Sequence, residues 1–211
     1  MAFPSLELPL RGIVSIGGLA DVRPDPVDDF VESPVDDAGG VRRRGHERGG
    51  PCAHGAGGEI GHITVNRHET ATCGCGKHGC LEQYSSATGV VRCMKKLLDE
   101  NPDADCVLRG RDFEAKDVFD AARNGDALAA REVDEMTDTL GMALATIAAT
   151  TDPEMFLVGG GVSRAGDVLF DPLVEHYKTY AFKSCRETPI KAASLGNDAG
   201  IYGAVRLIVG D

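Results

Sequence analysis

The stretch Gly55-Ala-Gly-Gly-Glu59-Ile-Gly61-His62, followed by Cys73-Gly-Cys75-Gly-Lys-His-Gly-Cys80-Leu-Glu82-Gln-Tyr84, decides how this chain is read. Cys73, Cys75 and Cys80 offer three soft thiolate ligands within one short loop. Gly74, Gly76 and Gly79 between them let the backbone wrap tightly around an ion. His62, eleven residues before the first of these cysteines, completes a Cys3His set, which is the tetrahedral complement of a closed structural zinc site. Glu59 and Glu82 flank the ligands, so folding the loop onto zinc brings two carboxylates to one place. The blander reading is three free thiols in a reducing cytosol; the interleaved glycines and Gly61-His62 favour the metal loop.

Downstream, the chain has the texture of an orderly α/β domain. Val90, Val91, Met94, Leu97 and Leu98 recur at helical spacing, and Asn101-Pro102 stops that helix. A short helix around Val118 to Arg123 ends at Asn124-Gly125. Asp126 caps a longer helix that carries Val133, Met136, Leu140, Leu144 and Ile147 along one face, ended by Asp152-Pro153. Met155-Phe-Leu-Val158 is a short buried-strand pattern running into Gly159-Gly160-Gly161. A helix near Gly166 to Tyr180, a strand near Ile190 and a closing helix from about Ala199 complete the order. Strand, glycine turn and helix in succession predict an α/β fold.

The Cys-Gly-Cys-Gly-x-x-Gly-Cys-Leu-Glu-Gln-Tyr form, with Ser-Ala-Thr-Gly89 after it and Gly-Glu59-Ile-Gly-His62 before it, closely resembles the signature of the ROK family of sugar kinases and sugar-responsive repressors. It is most similar to the bacterial glucokinase branch, over roughly residues 53 to 210. The resemblance implies the C-terminal lobe of an actin-like, ribonuclease-H-like sugar kinase with an inserted zinc loop over 59–84. It implies ATP-dependent phosphorylation of glucose at its 6-hydroxyl, with ATP and Mg as co-substrate and zinc as a structural ion. Glu59, His62 and Glu82 match the family's sugar contacts, and Gly159, Gly160 and Gly161 its nucleotide-side triplet. Leu195-Gly196-Asn197-Asp198-Ala199-Gly200 matches its C-terminal motif, where a packing role with Asp198 as helix N-cap is expected. Family members are commonly homodimers or homotetramers.

Paired carboxylates and an imidazole suit this task, because sugar hydroxyls both donate and accept hydrogen bonds. With four protein ligands, zinc would have no open position for substrate, so its work would be to fix Glu59 and Glu82 relative to each other. A glycine triplet after a strand lets backbone amides approach phosphate or adenosine closely.

Composition agrees with this class and excludes others. The 211 residues carry a formal charge of −11, which repels nucleic acid and anionic membranes. Hydrophobic residues make up 42%, with no Trp and 5% aromatics, so the core must rest on aliphatic side chains. Cys52, Cys93, Cys106 and Cys185 are scattered without a disulfide framework, which fits a reducing compartment. No apolar run approaches the ~20 residues of a membrane span, and no signal peptide pattern opens the chain. A cytoplasmic protein is expected.

Residues 1–52 read differently, as a degenerate or truncated N-terminal segment preceding the lobe at 53–211. Half of the ten prolines fall within residues 1–50, along with six arginines and no lysine. Prolines break long helices and central strands. Family kinases usually carry a Val-Asp-Gly-like hairpin before the Gly-Glu-Ile-Gly-His motif; codons for it, read one base early in a G+C-rich gene, give Arg-Arg-Arg, as at Arg42-Arg43-Arg44. A frame slip and true divergence both account for the segment.

The family's Asn-Asp-Ala-Asn aspartate base and its N-terminal Asp-x-Gly-Gly-Thr phosphate loop are not found. Asp36-Asp37-Ala38 lies only 25 residues before His62 and reads as a chance match. Catalysis in this chain is therefore expected to be impaired. The rival readings are another sugar (N-acetylglucosamine, N-acetylmannosamine or fructose), a repressor sharing the zinc loop, and a non-catalytic zinc-bearing sugar-binding remnant. A repressor needs a helix-turn-helix that the proline-rich segment cannot supply.

Overall fold

The computed structural model describes residues 13–16 and 58–194. Asp36-Asp37-Ala38, the Arg42–Arg44 run, Gly55 and the motif from Leu195 with Asp198 and the expected closing helix lie outside the described residues. Three parallel strands form one sheet in the order β1 (Ile13–Ile16), β2 (Met155–Val158), β3 (Ile190–Ala192). Ile13 pairs with Met155 and Ile16 with Val158, while Phe156 pairs with Ile190 and Val158 with Ala192. Because β2 alternates half-buried and buried positions, Phe156 and Val158 reach the core. β1 was not expected from a proline-rich stretch. Its four residues contain no proline, and its partner is more than 130 residues away, beyond any local pattern.

Among the described residues five α-helices pack on one another, with α5 against β3: α1 (Glu82–Ser85), α2 (Ala87–Glu100), α3 (Ala115–Arg123), α4 (Ala127–Thr151) and α5 (Asp167–Tyr180). Ser86 starts α2 by accepting from the Gly89 N–H, and buried Val90, Met94, Leu97 and Leu98 form its inner stripe. The Asp126 carboxylate accepts from the Leu128 and Ala129 N–H groups at the start of α4, a cap that contributes about 1 kcal/mol. The same side chain accepts from Val107 N–H at 2.8 Å, which ties the preceding loop to the helix. Asp152 ends α4 in the left-handed conformation at φ 46°, after which Pro153 prevents its continuation.

The second half of α4 is rich in small residues, and α5 lies directly against it. A side chain at Gly141 would come within 2.8 Å of the Tyr177 backbone nitrogen, so glycine permits that approach. Leu169, Leu173 and Tyr177 at i, i+4 and i+8 fill the seam. Tyr177 meets the Phe156 ring edge-on at 5.8 Å, and its hydroxyl donates to the Cys185 carbonyl at 2.6 Å. This core forms a rigid platform, and the cysteine-rich loop is mounted on it through α1 and α2. No helix among the described residues is long and apolar enough to cross a membrane.

Candidate functional site

The loop between residues 58 and 81 folds as a knuckle whose two arms are stitched by backbone bonds. Val65 and Asn66 both donate to the Gly79 carbonyl, at 2.8 and 3.2 Å, and Leu81 donates to Ile63 at 2.9 Å. Isolated antiparallel bridges pair Thr64 with Cys80 and Thr72 with His78. At the tip, Cys73 N–H donates to Lys77 and Gly76 N–H donates to Cys73, closing the tight turn that carries Cys75. Gly79 is required twice over: its φ is +69°, and a Cβ there would lie 1.7 Å from the Asn66 carbonyl oxygen. Gln83 is buried and fastens the knuckle from beneath, accepting from Cys80 N–H and donating to Ala71, each at 3.0 Å.

This folding brings His62, Cys73, Cys75 and Cys80 together, with their ligand atoms all within 4.8 Å of one another. His62 Nδ1 lies 3.7 Å from Cys73 Sγ, and Cys75 Sγ lies 3.6 Å from Cys80 Sγ. A tetrahedral zinc with bonds of about 2.3 Å to sulfur and 2.0 Å to nitrogen sets edges of about 3.5 to 3.8 Å between ligands. The donor set suits that ion, and the His62–Cys73 and Cys75–Cys80 separations match its edges.

The electrostatics agree. Burial pushes the Cys80 thiol up to about 12, with the neighbouring sulfurs adding to the rise. The Lys77 backbone N–H instead holds the Cys75 thiol below its ordinary value. A bound divalent metal deprotonates coordinating thiols outright.

The two carboxylates singled out in the sequence meet the same imidazole from two sides. Glu59, ahead of the one-turn 3-10 helix Ile60–His62, places Oε2 4.0 Å from His62 Nε2. Glu82, the first residue of α1, places Oε2 3.3 Å from His62 Nδ1 and 3.8 Å from Cys73 Sγ. All three side chains are partly exposed, so a polar ligand can reach them.

Gly159–Gly161 follow β2, with Gly160 at φ 76° and the chain turning into a 3-10 helix over Gly161–Ala165. A Cβ at Gly161 would meet nothing within 4 Å, so open space adjoins that backbone.

A second polar network, which the sequence did not reveal, braces the knuckle. Glu69 accepts from the Ala71 N–H at 3.0 Å and from the Tyr84 hydroxyl at 2.7 Å, and pairs with Arg92 at 3.1 Å. Those donors, led by the Ala71 amide, hold its carboxyl down to about 2. Arg92 also donates to the Gln83 carbonyl from two nitrogens, at 3.2 and 2.9 Å, and stacks over the Tyr84 ring. Asn66 donates to the Tyr84 hydroxyl at 2.9 Å. The members lie up to 26 residues apart and share no motif spacing, so only the folded loop shows them as a unit.

Known proteins resemble this chain in sequence and fold. The family model for the ROK family matches residues 39–210. The chain is 41% identical over 162 residues to a glucokinase of Halalkalibacterium halodurans, covering 74% of this chain and 48% of that protein. It is 38% identical over 158 residues to a glucokinase of Thermotoga maritima, covering 73% and 50% respectively. The chain thus spans about half the length of these relatives. A ROK glucokinase of Streptomyces griseus, solved with glucose and AMPPNP, superposes with a TM-score of 0.71 at 30% identity, over 95% of this chain and 61% of that one. The architecture is accordingly that of the ROK sugar kinases, within the actin-like ATPase group. This chain belongs to the ROK family.

Proposed function

We propose that this chain serves the ATP-dependent phosphorylation of glucose at its 6-hydroxyl and contributes the sugar-reading part of the site. The observation that carries the reading is the convergence of Glu59 and Glu82 on the two ring nitrogens of His62, itself a member of the Cys/His cluster. In this reading zinc is held by His62, Cys73, Cys75 and Cys80, and it supplies rigidity with no open coordination position. His62 would commit one ring nitrogen to zinc and turn the other to a sugar hydroxyl. Glu59 and Glu82 would accept from neighbouring hydroxyls, and their fixed separation would select the ring. Gly159–Gly161, with open space beside Gly161, would border the adenine nucleotide and its Mg.

The base that takes the proton from the attacking hydroxyl has no candidate among the described residues. The chain by itself is therefore read as sugar-binding with weak turnover.

Calorimetric titration with glucose tests this directly. Each charge-assisted hydrogen bond contributes roughly 1.5–3 kcal/mol, so Glu59→Gln and Glu82→Gln should each weaken binding about tenfold or more while leaving bound zinc unchanged. Parallel titrations with N-acetylglucosamine, N-acetylmannosamine and fructose rank the sugars. Unchanged glucose affinity in both variants returns the two carboxylates to the solvated surface.

A further inference from the structure

A cavity of about 410 Å³ opens behind the knuckle, between the Asn66–Thr70 loop, α2 and α4. It lies apart from the carboxylates that face His62 and shares no residue with the thiol cluster. Its wall on α4 carries Glu132, which is only 3% exposed. A carboxylate that deeply buried ordinarily has an ion-pair or hydrogen-bond partner.

The other acids of the cavity do have partners. Glu69 pairs with Arg92 at 3.1 Å and Glu100 with Lys96 at 3.7 Å, both across or along α2. Glu135 pairs with Arg131 at 2.8 Å on α4, and Asp138 accepts from the Tyr180 hydroxyl at 2.8 Å. Glu132 alone among these acids has neither a hydrogen bond nor an ion pair with any described residue.

We propose that this cavity is a binding site for a small organic cation bearing a primary ammonium group, with Glu132 as its anionic anchor. Charge favours such a ligand: five carboxylates line the space, together with the His68 imidazole and the cations of Arg92 and Lys96, which are themselves engaged, while Arg131, the other cation acting on Glu132, pairs with Glu135. Geometry disfavours a bare metal ion. Among the described residues, the only His, Cys, Asp and Glu side chains that converge closely enough for one are His62 and the three cysteines. Buried Leu97 and Met136 add apolar wall to the cavity, which suits a methylene chain with charged ends rather than a compact ion.

Protonation supplies a signature. Burial, with repulsion from Glu135, raises the Glu132 carboxyl to about 8, so in the empty site it is mostly neutral at pH 7. Cys93, facing the same space, is also pushed up by burial, to about 11, and stays a thiol. Tyr84 is raised by burial and stays neutral. An arriving ammonium would ionise Glu132, so binding should release about one proton per site.

The test is calorimetric titration of the full chain with 1,4-diaminobutane at pH 7, in two buffers of different ionisation enthalpy, with 1,4-butanediol as the uncharged control. The expected result is saturable diamine binding with release of about one proton, no diol binding, and affinity lower by roughly tenfold or more in Glu132→Gln. Glu132→Leu provides a second variant that removes the buried carboxyl without leaving a polar group, and its affinity should likewise fall by roughly tenfold or more. Thermal melts of both variants establish that they are folded. The proposal is overturned by the absence of saturable diamine binding at millimolar concentration, by equal affinity in folded Glu132→Gln, or by diol binding equal to diamine. None of these outcomes depends on glucose binding or on phosphoryl transfer.

Discussion

Glu132→Gln should stabilise the fold, and by an amount that grows with pH. In the folded chain the carboxyl sits near 8, against an ordinary value of 4.5. Below pH 4.5 both folded and unfolded chains hold the proton and the carboxyl costs nothing. As pH rises toward 8 the unfolded chain releases the proton while the folded chain retains it, and wild type loses roughly 1.4 kcal/mol of stability per pH unit. Above pH 8 the loss levels off at about 4–5 kcal/mol as a ceiling, lowered by whatever water the adjoining cavity admits.

Between pH 6 and pH 8 the expected growth in the wild-type penalty is therefore about 2 kcal/mol. Glutamine keeps the shape and has no proton to lose. Urea unfolding of wild type and variant at the two pH values measures the effect. Taking the difference between the proteins cancels the pH dependence of the cysteine cluster, which both share. A stability gap that stays the same from pH 6 to pH 8, or that shrinks, refutes the argument.

Other outcomes follow from the knuckle. Cys75→Ser should release zinc, because it removes one of the four ligands, and metal analysis of freshly purified protein measures it; full retention counts against the site. Gly79→Ala drives a methyl group into the Asn66 carbonyl oxygen, 1.7 Å away, at a φ of +69°; loss of bound zinc is expected, with the helical circular dichroism of α2–α5 preserved. A coupled assay for glucose 6-phosphate should find the 211-residue polypeptide well below the ~1–100 s⁻¹ ordinary for kinases. Turnover in that range, abolished by Asp37→Asn, would identify Asp37 as the base.

The parts of this molecule legible in its sequence are those written locally. Val90, Met94, Leu97 and Leu98 announce α2, and Asp126 and Asp152 mark the ends of α4, because periodicity and caps act within one or two turns. The four clustered ligands and the two flanking glutamates could be read from spacing for the same reason. β1 could not, since its pairing with β2 joins distant parts of the chain.

Glu132 was equally hidden. Nothing in the sequence singles Glu132 out from Arg131, Asp134 and Glu135 beside it, and it is the folded packing around α4 that buries this one acid. The 3-10 segments and four-residue α1 are too short to leave a periodic trace.

The Glu69–Tyr84–Arg92 clamp has a consequence for the life of the metal loop. Glu69, Asn66 and the Gln83 carbonyl are tied to α1 and α2 by contacts that need no ion. With zinc bound as proposed, loss of the ion would leave the arms docked and the thiols gathered, so that recapture would need only small side-chain movements rather than renewed folding. Metal loss would then be reversible. Small zinc-dependent domains, whose folding energy is largely supplied by the ion, have no such reserve.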